Sequence, residues 1–281
     1  MMNLSRFRPL IQLASSVFTN GYAGVFVTRA VNDNPLKGLC VPYLNCYACP
    51  SALFSCPIGT LQHFMAIRSI PFLLLGMLGA VGLAIGRMPC GWACPFGFVQ
   101  DLLHKIPSPK FAVPRFLRPF KYAFLLIFVL LLPFLTGDNW FSKICPAGTL
   151  LAAIPWVVWN PASPETGLPV LPNPPGLQFL AVVASLCGFL VWFVLSKRPF
   201  CQAVCPMGAI LSLFNRTSLI RLEVAENCDA CNFCNVNCPM GLTVPLEINS
   251  RECIRCLECT RCGHVKITYP FASGDLCDER L

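Results

Sequence analysis

Two segments far apart in the chain carry the same chemistry: Cys90-Gly-Trp-Ala-Cys94-Pro-Phe-Gly97 and Cys201-Gln-Ala-Val-Cys205-Pro-Met-Gly208. Shorter forms recur at Cys56-Pro-Ile-Gly59, Cys145-Pro-Ala-Gly148 and Cys238-Pro-Met-Gly241. Thiolates are ligands for soft metals and for iron–sulfur clusters. Proline suits the first helical position, and the helix that starts there turns its positive end toward an anionic group. Glycine lets backbone amides approach the sulfurs, and such hydrogen bonds help set a cluster's reduction potential. Helix initiation alone explains Pro and Gly, but not their repeated coincidence with Cys.

The most specific run lies near the C-terminus. From Cys228 the chain reads CDACNFCNVNCP, the C-x2-C-x2-C-x3-C-P spacing of bacterial ferredoxins, in which the fourth cysteine serves the other cluster. CIRCLECTRC then supplies Cys253, Cys256, Cys259 and Cys262. The exchange rule predicts one 4Fe–4S cluster on Cys228, Cys231, Cys234 and Cys262, and a second on Cys253, Cys256, Cys259 and Cys238. The second run lacks the closing x3-Cys-Pro. Two zinc knuckles are the competing reading, since CxxC pairs also suit tetrahedral zinc. Three cysteines at every third position followed by Cys-Pro are more typical of clusters.

The remaining motifs give two more sets of four. Cys90, Cys94, Cys201 and Cys205 are expected at an inner membrane edge. Cys46, Cys49 and Cys56 from NCYACPSALFSC, with Cys145, are expected at the outer edge. Sixteen of the 19 cysteines are thereby used, leaving Cys40, Cys187 and Cys277. A disulfide framework is the plain alternative, but it belongs to small secreted domains.

The elements that position these motifs follow from composition. Of 281 residues, 55% are hydrophobic and 12% charged, where soluble domains carry about 25% charged residues. Four apolar segments, about 10–30, 67–87, 119–137 and 176–196, approach the roughly 20 residues that cross a bilayer. The first is read as a retained span rather than a signal peptide, although Thr19, Asn20 and Gly21 interrupt it. Pro133 predicts a kink in the third. Each span leads into a Cys-Pro-x-Gly, so two two-helix units (about 1–105 and 115–215) repeat in parallel orientation.

Lys105, Lys110, Arg115, Arg118 and Lys121 lie between spans two and three, and Lys197, Arg198, Arg216 and Arg221 follow span four. This bias puts both termini in the cytoplasm of a multi-pass inner-membrane protein, with 31–66 and 138–175 outside; Arg29, Lys37 and Arg68 dissent. It also accounts for the net charge of +8 without invoking nucleic acid. The expected fold is an all-α integral membrane domain (1–220) of four transmembrane helices in two pseudo-repeats. A small C-terminal ferredoxin-like α+β domain (221–270) and a tail (271–281) follow. No CxxCH, phosphate loop or Ser-His-Asp set points to haem, phosphate or hydrolysis.

With paired CxxxCP motifs on four spans and a ferredoxin tail, the chain resembles the membrane-bound polyferredoxins of the NapH type. NosR-like and CcoG-like proteins share that membrane core. The resemblance covers about 60–265 and rests on CGWxCPxG and CxxxCPMG. It implies quinol oxidation and electron delivery to periplasmic reductases of anaerobic respiration. It thus implies a quinol dehydrogenase component that works with the menaquinone pool and with iron–sulfur, cytochrome or reductase subunits.

Quinol oxidation releases protons, and the candidate quinone and proton residues are Gln62, His63, Gln100, Asp101 and His104. Interfacial capping is the plain reading of each. Trp92, Trp140, Trp156, Trp159 and Trp192 are expected as interfacial anchors. An obstacle is distance, since sites at opposite faces would be roughly 30 Å apart unless the Cys-Pro-x-Gly helices, such as CPIGTLQHFMA, re-enter the membrane. Two other readings stay open: a membrane ferredoxin that reduces a metal centre during maturation of another enzyme, and an anchor subunit with clusters only in its tail.

Overall fold

The computed structural model describes residues 4–28, 32, 34–159, 176–226, 228 and 231–269; Cys277 lies outside them. The chain is mostly helical. Among the described residues two helices are long and apolar enough to cross a membrane, Arg115–Thr136 and Leu177–Leu195. The expectation of four such helices is therefore met only for the third and fourth segments.

The first apolar segment folds into α1, Arg8–Thr19, of 12 residues. At 1.5 Å per residue it is about 18 Å long, short of the roughly 30 Å of hydrocarbon. Its buried face carries Arg8 and Gln12, which a lipid-facing span would not. Both side chains donate to the Gly91 carbonyl at 3.0 Å. At the other end Thr19 accepts from the Leu53 amide.

The helix Pro57–Ala66 (α2) follows the Cys-rich loop. The second apolar segment yields α3, Phe72–Ile85, of only 14 residues. Pro71 precedes it, and Gly86 stops it with φ at +58°. A Cβ at Gly86 would also meet Arg255 and Asn215 within 2.5 Å, so that position needs glycine twice over.

Two short helices come next, Met88–Trp92 (α4) and Pro95–Leu103 (α5). The span Arg115–Thr136 (α6) winds with a π register over Leu125–Leu131, where the Leu132 amide reaches back to the Ile127 carbonyl. Pro133 donates no N–H, and its ring crowds the carbonyl four residues back. The wider turn just before it relieves that clash, which is the form the expected kink takes.

Trp140–Ile144 (α7) and Pro146–Trp159 (α8) follow, then Leu177–Leu195 (α9), whose bounds match the fourth apolar segment. Pro199–Ala203 (α10) and Pro206–Phe214 (α11) repeat the lengths of α4 and α5, five and nine residues. The helix α2 packs on the end of α6, α5 packs on α9 and α1, and α11 packs on α3 and α6.

The tail contributes strands Arg221–Val224 (β1) and Val265–Thr268 (β2), antiparallel with Leu222 opposite Ile267 and Glu223 opposite Lys266. Leu222 and Val265 bury against Leu257 and Trp92. Trp92 is therefore not an interfacial anchor: it is the membrane motif's contribution to the tail's apolar cluster.

Candidate metal centres

Four of the five Cys-Pro-x-Gly motifs open a helix, with the cysteine as N-cap and the proline at the first helical turn, whereas Cys238 ends one. In the inner set the glycine amide donates to the cysteine sulfur, Gly97 to Cys94 and Gly208 to Cys205, both at 3.4 Å. Gln100 adds a donor to Cys201 Sγ at 3.2 Å. Cys90, Cys94, Cys201 and Cys205 surround one tight pocket closed by Phe96, Phe200 and Met207. Burial, then Cys201 and Cys90 nearby, pushes the Cys94 thiol up to about 12. Such thiols keep their protons at neutral pH unless a cation replaces them.

Arginines frame this pocket. Arg87 and Arg198 are 0% and 1% exposed and are the N-caps of α4 and α10. Arg87 Nη2 donates to the Cys201 carbonyl at 3.3 Å, and Arg198 Nη1 to the Cys90 carbonyl at 2.8 Å. The sequence reading has no role for Arg87 and counts Arg198 only as a loop charge. The signal was available, because Arg87 and Arg198 each stand three residues before a motif cysteine, extending the repeat to R-x2-C-x3-C-P-x-G. Asp101 grips Arg198 in a bidentate pair at 2.7 and 2.6 Å and also contacts Arg8. Burial opposes its ionisation, but Arg198 and then Arg8 outweigh burial and hold the carboxyl below its usual range.

The outer set gathers around the loop 40–56, which folds inward. Cys46 lies near Cys145, Cys56 and Cys49, all close enough to disfavour its thiolate, although burial is the larger effect. Burial also pushes Cys145 up to about 12, while the Gly148 and Ala147 amides oppose it. A cavity of about 660 Å³ opens beside Cys46, Cys56 and Cys145, walled by Phe141, Trp156 and Phe179. Trp156 donates to the Ala48 carbonyl at 3.0 Å and so holds the loop, beyond any anchoring role.

Gln62, fully buried, accepts from the Phe141 amide at 2.9 Å and donates to Ser142 Oγ at 3.1 Å. It fixes the approach to Cys145. Cys40 stands beside this set, its thiol against Thr60 Oγ1 at 3.3 Å. Cys187 is exposed on α9.

The two sets are neighbours. Leu44 lines the tight inner pocket and the outer cavity alike. Tyr43 lies within electrostatic range of Cys94, and only two residues, at most about 11 Å of chain, separate it from Cys46. The two sets thus share a side-chain wall, closer than sites at opposite faces of a bilayer would stand.

In the tail, Cys234 and Cys262 sulfurs are 3.4 Å apart. Cys234 also senses Cys231 and Cys228, whereas Cys259 senses Cys256 and Cys253, then Cys234 and Cys238. Cys262 thus lies beside Cys234, and Cys238 lies near Cys253, as the exchange rule expects of ligand neighbours, while Cys234 and Cys259 bring the two sets into contact. Among the described residues no three Cys, His, Asp or Glu side chains converge on a single-ion site. Sulfurs that accept from the Gly97 and Gly208 amides at helix N-termini suit the anionic thiolates of an iron–sulfur cluster. The buried Arg87 Nε, with no partner among the described residues, suits an anionic group in the inner pocket.

Of the other quinone candidates, His63 rests edge-on to Phe64. His104 has a buried Nδ1 without a partner among the described residues. Burial, then Lys110 and Lys197, lower its pKa. Gln100 and Asp101 are committed to the sulfur and guanidinium contacts above.

Comparison with known proteins bears on these centres. The 4Fe–4S binding domain family matches residues 54–70, 69–114 and 178–223, which hold Cys56 and all four inner cysteines. An uncharacterized protein of Methanocaldococcus jannaschii is 27% identical over 77% of this chain and 87% of its own. The methylamine utilization ferredoxin-type protein MauN of Methylorubrum extorquens is 29% identical over 65% of this chain and 56% of its own. The regulatory protein NosR of Pseudomonas aeruginosa is 28% identical over 62% of this chain but only 23% of its own length. No solved structure matches. The chain thus matches the 4Fe–4S binding-domain family in both of its cysteine-motif halves and is similar to ferredoxin-type proteins.

Proposed function

We propose that this chain is a membrane iron–sulfur subunit that passes electrons between the menaquinone pool and partner redox subunits, as the NapH-type resemblance implies. The four cysteine sets described above would each hold a 4Fe–4S cluster: two in the membrane region and two in a ferredoxin-like cytoplasmic tail. When bound, such clusters supply one-electron carriers. The protein's own residues bury them, donate hydrogen bonds to the sulfurs and fix their spacing.

The carrying observation is Leu44, one side chain that borders both membrane sets. Tail and inner motif are equally close: Arg87 donates to Glu252 at 3.2 Å and to the Arg251 carbonyl at 2.9 Å, directly before Cys253. A continuous path from the outer loop to the tail is what an electron conduit needs and a plain anchor does not. In this reading α6 and α9 cross the bilayer, both termini face the cytoplasm, and α1 and the Cys-Pro-x-Gly helices pack within the protein, where irregular backbone is tolerated.

The test is iron and acid-labile sulfide on protein purified without oxygen, followed by reduction with a menaquinol analogue. About 16 irons per chain, four for each of four clusters, are expected. The quinol should reduce them, and Cys94→Ser and Cys205→Ser should interrupt transfer to the tail. About eight irons, with transfer unaffected by those substitutions, would confine clusters to the tail and leave an anchor subunit.

A further inference from the structure

Arg87 and Arg198 are related by the repeat, yet each reaches across it. Arg87 opens the first motif and bonds the carbonyl of Cys201 in the second; Arg198 opens the second and bonds the carbonyl of Cys90 in the first. The motif glycines make room for the crossing. A Cβ at Gly208 would lie 3.0 Å from Arg87 Nη2, and one at Gly97 3.2 Å from both Arg198 terminal nitrogens. The two guanidiniums therefore lie alongside both cysteine-proline turns.

Burying a guanidinium is costly unless negative charge faces it. Each arginine has one carboxylate, Glu252 for Arg87 and Asp101 for Arg198. Each carboxylate is itself shared with a second cation, Lys121 or Arg8, and Arg8 also reaches Glu258, which Arg261 shares in turn. Protein anions thus leave part of the cationic charge uncompensated beside the four thiols. The outer set differs. Seven residues before Cys56 and Cys145, where the arginines stand relative to Cys94 and Cys205, it has Cys49 and Asp138. Lys143, the cation lining its cavity, is tied to Asp138 near the surface.

We propose that Arg87 and Arg198 are positioning residues that raise the reduction potential of the inner centre above that of the outer one. The reduced form of a cluster carries one more negative charge, so a nearby buried cation favours it. The Gln100 donor to Cys201 acts in the same direction. Electron movement between the two membrane sets is then downhill from the outer loop toward the inner motif. This rests on the cluster reading proposed above.

The test is a potentiometric titration of the full chain followed by electron paramagnetic resonance. The inner signal is identified as the one that Cys94→Ser abolishes, and the outer as the one lost in Cys145→Ser. In the unaltered chain the inner signal should titrate at the higher potential. Arg198→Gln should move it to lower potential, leaving the outer signal in place. Asp101→Asn keeps Arg198 and removes its counter-charge, so the inner signal should move the opposite way. The second variant decides the matter where the first loses the centre. An inner potential below the outer one, or unmoved in both variants with all irons retained, overturns the inference alone. A wild-type chain with about eight irons removes the inner centre itself.

Discussion

The Trp92 indole donates to the carbonyl of Arg255 at 2.9 Å, so the first membrane motif is bolted to the tail between two tail cysteines, Cys253 and Cys256. Next to it, a Cβ on Gly91 would fall 2.6 Å from the Ile254 carbonyl. Backbone meets backbone there, so neither side can swing away. Gly91→Ala should push the tail off its seat and cost about 1–3 kcal/mol, while Trp92→Phe should cost about 1 kcal/mol for the lost hydrogen bond. Limited proteolysis reads this as faster release of the tail, more in Gly91→Ala than in Trp92→Phe. Wild-type cleavage rates in both variants would mean that the tail is held elsewhere.

Gln62 and Gln100 occupy the same offset from a Cys-Pro-x-Gly cysteine but do different work. The carbonyl oxygen of Gln62 accepts from the backbone just ahead of Cys145, whereas the amide of Gln100 reaches the sulfur of Cys201. Gln62→Leu leaves the buried Phe141 amide without its acceptor, a loss of about 1–3 kcal/mol. It should release the outer centre, seen as a fall of about four irons per chain. Gln100→Leu should retain the iron and shift only the redox behaviour of the inner centre. Equal iron loss in both variants would show that the sulfur contact is also needed for assembly.

The contrast shows what the sequence could and could not reveal. Helix α9 was legible because Leu177–Leu195 is an uninterrupted apolar run. The cysteine sets were legible because ligand spacing is local and chemical. Helix α1 misled, because Leu10, Ile11, Leu13, Val17 and Phe18 are exposed apolar residues that read as a span, while Arg8 and Gln12 point inward to Gly91. The inward fold of the loop 40–56 left no local signal. It depends on contacts such as Trp156 to Ala48 and Leu53 to Thr19, which join segments distant in sequence. The arginine pair did leave one, a repeated residue three places before Cys, but its meaning lies in the crossing of the repeats.

Leu44 is 4% exposed and belongs to the one core cluster that includes Cys56, Cys94, Cys145 and Cys205. Truncation to alanine would open a void between the two membrane sets and cost about 2–5 kcal/mol. Thermal unfolding should show the loss, and both membrane centres should become more sensitive to chelators while the tail centres do not. Protection of either membrane centre at the wild-type level would mean that Leu44 does not separate them.

The tail offers the clearest test of ligand exchange. If each cysteine run held its own cluster, Cys262→Ser and Cys253→Ser would damage the same one. The structure pairs Cys262 with Cys234 at 3.4 Å instead, and sets Cys238 near Cys253, Cys256 and Cys259. Cys262→Ser and Cys234→Ser should therefore remove the same magnetic resonance signal, and Cys238→Ser and Cys253→Ser the other. Each substitution should lower the iron by about four per chain. Exposure separates the two signals independently. Cys231 is exposed, whereas Cys256 is buried beneath the membrane motif. The signal lost in Cys262→Ser should accordingly be the first of the two to fade when the intact chain meets a chelator. If the signal shared by Cys262 and Cys234 is instead the slower to fade, the burial order is reversed. If Cys262→Ser and Cys253→Ser erase one common signal, the runs do not exchange ligands.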